Sequence, residues 1–259
     1  MMITSLEAEL PFYFGEDAAL FGLFHAVGGP ARRAVLLCPP LGQDHIRCHR
    51  LYRQLANALA GEGVPALRFD YYGTGDSAGD SADVDWSRCV ADIATAADEL
   101  RRRSGADRVI AFGARLGGSM ASAATIDARF AGLVIWDPVF DGASYVSRLD
   151  AMQSALRQDK QRFMRPRSAA DVAEQWLGFA TSERLRRQVG ELRLAPTAVP
   201  TLVLDSLDGV PDSGWRDRSD TQVRRLEPPA PWDDLNRLEV AILSHPLIQT
   251  VTGHVRVAA

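Results

Sequence analysis

Two rhythms of apolar and polar residues alternate along this chain. The short apolar runs "AVLLCPP" (34–40) and "VPALRFD" (64–70) bracket "RLYRQLANALAGEG", where Leu51, Leu55 and Leu59 return every fourth residue before a Gly-x-Gly stop. That spacing lines the leucines along one helix face, and a solid apolar run suits a strand covered on both faces, so the segment reads strand, helix, strand. The unit repeats. "DWSRCVADIATAADELRRR" reads as a helix, "RVIAFG" as a strand, Leu116 to Ile126 as a small-residue helix, and "AGLVIWDPV" as a strand. Ahead of these, "AELPFYF" and "ALFGLFHAV" predict an antiparallel pair. After Val139 the alternation lapses into mainly helical, basic sequence; it resumes with "PTLVLDS" and "TQVRRLE" and closes on a helix around "WDDLNRLEVAILSHPLIQTV". The pattern predicts an α/β protein whose mostly parallel sheet is covered by helices on both faces. Its core spans 1–142 and 197–259, and a short helical insertion spans 143–196.

Composition narrows the function classes. With 259 residues, 46% hydrophobic and 24% charged, the chain can bury one large core. No stretch approaches the roughly 20 apolar residues of a membrane span. The opening "MMITSLEAEL" has acids where a secretory leader would be basic and then apolar, so a cytoplasmic protein is expected. Cys38, Cys48 and Cys89 are odd in number and lack metal-finger spacing, which favours reduced thiols. A net charge of −4 argues against a nucleic-acid binder. No cofactor motif is found. Basic residues are dense between Arg148 and Arg193, including "RQDKQRFMRPR" and "ERLRRQ"; they form either a solvated helical surface or a lid over an anionic ligand.

Open α/β sheets bind ligands beyond the C-terminal ends of their strands. One such end reads "VIAFGARLGGSMA", residues 109–121, with Gly113 and Gly117 flanking Arg115. The corner resembles the Gly-x-Ser-x-Gly turn of α/β-hydrolases, in which a serine is exposed on a strained strand-to-helix bend. The remaining requirements of that chemistry are a histidine base, an orienting acid and two backbone N–H groups for the oxyanion. Leu116 and either Leu41 or Gly42 suit the donors. "LVLDSLDGVPD" offers Asp205, Asp208 and Asp212, of which Asp208 aligns best. The other two positions fail: Trp232 stands about where the histidine is expected, and a guanidinium is neither nucleophile nor base.

Weaker substitutes are available. Ser119 lies one turn into the following helix, although a small packing residue is the plainer reading. Cys38 ends its strand and is more often a buried hydrophobe. His45 and His49 share a helix face but lack a third metal ligand, so no metal is expected; His45 could instead lean into the site as a base. The loop "FDYYGTGDSAGD" reads as structural. A cation at a helix N-terminus is unfavourable by about 0.3 to 1 kcal/mol, so something negative should lie beside Arg115. The partner is either an aspartate of the rim, Asp208 or Asp137, or the carboxylate, phosphate or sulfate of a ligand.

Several stretches together, "LLCPPLGQDHIRCHRLYRQLANALA", "FDYYGTGDSAGD", "AFGARLGG", "LVIWDPVFDGASYVSRL" and "EPPAPWDDLNRLE", resemble the exosortase A system-associated hydrolase 2 type of α/β-hydrolase. The resemblance implies an α/β-hydrolase fold with a cap at 143–196, between the sixth sheet strand and the seventh. It also implies that arginine at the corner and an aromatic residue near the missing histidine are a family pattern, and it suggests a link to exopolysaccharide systems. The family usually has acidic residues and an asparagine where this chain has Gln43, Asp44 and His45, so ligand chemistry need not carry over. Three readings stay open. The preferred one is a pocket for an anionic or acyl-type small molecule, anchored by Arg115 and walled by Leu41, Gly42, Leu116, Asp137 and Trp232. The others are an ester or thioester hydrolase with an unconventional catalytic group, and a protein-interaction module. A homodimer is compatible with each.

Overall fold

The computed structural model describes residues 9–257 apart from 161, 163, 164, 166, 169, 171–173, 212 and 213. Asp212 and part of the basic run 157–167 therefore lie outside the described residues.

Strands β1 (Glu9–Phe14) and β2 (Leu20–His25) form the antiparallel pair expected from their alternation. Then come β3 (Arg33–Cys38), α1 (Gly42–Gly61), β4 (Ala66–Phe69), α2 (Trp86–Ser104), β5 (Arg108–Ala114), α3 (Leu116–Ala123) and β6 (Gly132–Trp136). The insertion holds α4 (Gly142–Arg157), a small hairpin of β7 (Gln175–Trp176) and β8 (Phe179–Ala180), and α5 (Glu183–Gly190). After it follow β9 (Thr201–Asp205), β10 (Thr221–Arg225) and α6 (His245–Val257). The main sheet has the order β1-β2-β4-β3-β5-β6-β9-β10, parallel from β4 to β10. Its central strands are buried residue after residue, which is why they read as apolar runs without alternation. Leu51, Leu55 and Leu59 of α1 are fully buried against one sheet face, and Ile93, Ala96 and Leu100 of α2 against the other.

Two expectations change. The closing helix starts only at His245; residues 231–244 form an irregular loop with one short 3-10 turn at Leu235–Arg237. Pro246 at the front of α6 fits a helix start, where its missing N–H costs nothing. Arg47 holds the preceding loop in place. Its buried guanidinium donates to the carbonyls of Pro231 at 2.6 Å, Trp232 at 2.8 Å and Val240 at 3.3 Å, which gives three of the loop's carbonyls a partner without a helix. The insertion is also less uniformly helical than its sequence reads, because the β7–β8 hairpin interrupts it. Paired strands of two residues leave no period to read.

Candidate functional site

β5 runs into α3 through a single residue, Arg115, with φ 49° and ψ −128°. Non-glycine residues avoid this region at a cost of about 1–3 kcal/mol, so surrounding contacts must impose it. They do: a Cβ on Gly113 would meet Gly117 and Gly118 backbone atoms at 2.6 Å, and one on Gly117 would meet the Cys38 and Pro39 carbonyl oxygens at 2.4 and 2.5 Å. Both glycines are required for strand and helix to approach this closely. The sharp corner is intact, and it presents a guanidinium.

The Arg115 side chain is 5% exposed and lies among three aspartates. Its Nε is 3.5 Å from Asp44 Oδ2, its Nη2 3.8 Å from Asp233 Oδ1, and its Nη1 donates at 3.5 Å to the backbone carbonyl of Asp137. Burial pulls the guanidinium toward neutrality, but Asp44, Tyr145, Asp233 and Asp137 outweigh it and hold Arg115 above its ordinary range. Burial pushes the Asp44 carboxyl up from its usual value, opposed by Arg115, by the Tyr145 hydroxyl donating at 3.2 Å, and by Arg47. The Tyr145 and Trp232 rings flank Arg115 at 5.2 and 5.4 Å from its central carbon.

Trp232 occupies the loop after the last sheet strand, is 2% exposed, and donates its indole N–H to Asp137 Oδ2 at 2.8 Å. The same oxygen also accepts from the Ser206 hydroxyl at 2.5 Å, and Oδ1 accepts from the Ser206 backbone N–H at 2.6 Å. An imidazole held by an acid would make a similar contact, but indole can only donate a proton, never take one. Burial raises Asp137 while these three donors oppose the shift.

Two cavities adjoin the corner. One, of about 370 Å³, is walled by Leu41, Gly42, Leu116, Tyr145, Leu149, Trp176, Leu177, Phe179 and Leu185, with His45 and Asp70 at its polar side. Among the described residues, none of its wall is lysine or arginine. The second, of about 470 Å³, is more polar than the first and takes in Arg115, Asp137, Ser144, Arg148, Asp205 and Asp233. Tyr145 belongs to the walls of both.

The sequence profile of the serine aminopeptidase S33 family matches residues 29–205. The chain belongs to this α/β-hydrolase family. A search of curated proteins finds no match. Among solved structures, the S33 chain is similar in fold to esterase Est1E of Butyrivibrio proteoclasticus, solved with ferulic acid (TM-score 0.60, 15% identity, 92% of each chain covered). It is similar to an esterase of Exiguobacterium antarcticum (0.60, 16%, 95% of this chain and 100% of that one). A third likeness is to the bottromycin epimerase BotH in complex with bottromycin A2 (0.56, 15%, 90% and 94%). These likenesses concern the fold.

Against this family background the candidate residues separate. Leu41, Gly42, Leu116 and His45 meet at the apolar cavity, Arg115 and Asp137 at the polar one, and Trp232 backs the corner without lining either. Asp208, the best-aligned acid by sequence, is not brought to the corner: it sits at φ 55°, its side chain is 78% exposed, and it pairs with Arg225 of β10. Asp205 turns inward to accept the backbone N–H groups of Leu207 and Gly209. Asp208 is thus not the counter-charge of Arg115, and Asp137 meets the guanidinium through its carbonyl; the carboxylate partners are Asp44 and Asp233. Ser119 is fully buried; its hydroxyl accepts from the Val139 N–H and its one proton lies between the carbonyls of Val139 at 3.0 Å and Arg115 at 3.3 Å, so it has a structural task. Cys38 is fully buried, which raises its thiol pKa and keeps it protonated. His45 is kept neutral by burial, His49 and Arg68, which lower its pKa to about 4. The His45 and His49 rings lie 6.2 Å apart, and the described residues hold no cluster of three metal-ligating groups. Asp44, Tyr145, Ser206 and Asp233 lie within stretches that the sequence marked for other reasons, but none of them was singled out as a partner of this corner.

Proposed function

We propose that this S33-family protein has no acyl-enzyme chemistry and instead binds an acyl-type, largely apolar small molecule in the 370 Å³ cavity, with the 143–196 insertion as its cap. One observation carries the reading. Where the fold's hydrolases need nucleophile and base, Arg115 and Trp232 stand together, the indole ring 5.4 Å from the guanidinium carbon and its N–H on the Asp137 carboxylate. Neither of the first two has a lone pair to offer a carbonyl or a proton. The cavity volume falls in the range of drug-sized ligand sites, about 300–1,000 Å³, and its walls are mostly apolar and aromatic. The epimerase among the fold neighbours is consistent with a reading in which the fold does not dictate hydrolysis. Resemblance to the exosortase-associated type adds a link to exopolysaccharide systems.

The test combines three measurements on the full chain. Expected are no labelling by a fluorophosphonate probe, no turnover of p-nitrophenyl esters, and a rise in Tm with decanol or methyl decanoate that Leu149→Trp removes by filling the cavity. A labelled serine overturns the proposal. Ester turnover without labelling, abolished in His45→Gln, would favour a second reading in which His45 activates water. That alternative is supported by a neutral ring on the cavity wall with no hydrogen-bond partner among the described residues. Absence of both turnover and ligand stabilisation would leave the interaction module.

A further inference from the structure

Arg115 has charge partners but is poorly hydrogen-bonded. Its Nε is buried without a hydrogen-bond partner among the described residues, and neither carboxylate beside it comes closer than 3.5 Å. A buried guanidinium left at such distances forfeits most of the charge-assisted bonding that its planar fork offers, normally at about 2.7–2.9 Å. The exposed carboxylate in contact with it is Asp233. Its side chain, 40% exposed at the edge of the polar cavity, bridges Arg115 at 3.8 Å and Arg148 at 2.8 Å. The other carboxylates of that cavity are engaged elsewhere. Asp137 accepts from Ser206 and Trp232, Asp141 caps α4 and pairs with Arg193, and Asp205 accepts two backbone N–H groups.

We infer that Asp233 is a built-in placeholder: it occupies the position between Arg115 and Arg148 that a ligand oxyanion, a carboxylate or a phosphate, takes when it binds in the polar cavity. Asp233 belongs to the irregular loop after β10, so it can withdraw without unravelling a helix or strand. Arg115 supplies a buried cation, and Arg148, exposed on α4, supplies a second in the lining of the same cavity. An incoming oxyanion exchanges one carboxylate for another and adds hydrogen bonds that the 3.8 Å contact lacks. The site is separate from the apolar cavity and does not depend on a ligand there.

The test is calorimetric titration of the folded full chain with inorganic phosphate and, separately, with acetate, at constant ionic strength. Removing an acid should strengthen binding: Asp233→Ser is expected to bind at least one of the two anions tenfold or more tightly than the parent, and the preferred anion identifies the ligand class. Adding Arg115→Met should abolish the gain. If Arg115→Met does not fold, as judged by circular dichroism, Arg148→Gln in the Asp233→Ser background makes the same demand. No gain with either anion in Asp233→Ser, or a gain that survives loss of the arginine, overturns the inference.

Discussion

Arg115 and Asp44 are both buried, and each makes the other tolerable. An isolated buried charge is strongly destabilising, whereas an ion pair replaced as a whole by apolar groups often costs little. Asp44→Asn alone should therefore destabilise the fold by about 3 kcal/mol in urea denaturation. Arg115→Met should cost less, because Asp44 keeps the Tyr145 hydroxyl and can take up a proton. The double variant should fall short of the sum by at least about 1 kcal/mol, a coupling that a cycle of the four proteins measures. Strict additivity would mean the two charges do not interact. His45 carries a pH signature. Its pKa is about 4 in the fold against 6.5 when free, so between these values the unfolded chain binds a proton that the folded chain refuses. Stability is lost as pH falls through that window. His45→Asn should lose about 2 kcal/mol less than the parent between pH 6.5 and 4, a figure already reduced for the partial exposure of the ring. Buried acids such as Asp44 and Asp137 titrate in the opposite sense, but they are common to both proteins, so the difference isolates the imidazole.

At the scale of elements, the corner between β5 and α3 is built from absences of side chain. Gly117→Ala should cost more than about 3 kcal/mol, since its new methyl meets two backbone carbonyls that cannot move independently of β3. Gly253 is the control. It lies inside α6, where an added methyl would have nothing within 4 Å, so Gly253→Ala should stabilise by about 0.5–1 kcal/mol through helix propensity. Thermal melts of the two variants should move in opposite directions. Much of this element is legible in the chain's own pattern. The Gly113–Gly117 spacing marks the corner, and the fourfold leucine spacing marks α1. The extent of α6 is not legible, because residues 231–244 are ordered by Arg47, a contact far away in sequence.

For the whole molecule, the insertion and core meet over the corner. Arg184 pairs with Asp85 at the front of α2, Gln188 accepts from the Trp86 backbone, and Tyr145 of α4 reaches Asp44 of α1. A ligand filling the apolar cavity would touch both sides. Ligand at about 1,000 times its Kd adds about 4 kcal/mol of stability. Amide exchange should then slow in α4, the β7–β8 hairpin and α5, while β1 and β2 stay unchanged. Protection spread evenly over the sheet would point to binding elsewhere.

What the sequence determined by itself is what short-range chemistry controls. Periodicity defined the parallel sheet and its helices, glycine spacing the corner, and residue identity the guanidinium of Arg115 at that corner and the indole of Trp232 in the loop after the last strand. What the tertiary structure decided is which charge answers which. Asp208 is near the expected acid in sequence, yet its left-handed backbone turns it toward Arg225, while Asp44, Asp137 and Asp233 converge on Arg115 from three separate segments. The reason is physical: hydrophobic burial follows local pattern, but the pairing of buried charges depends on distances of a few ångströms between segments far apart along the chain, which exist only once the core has packed.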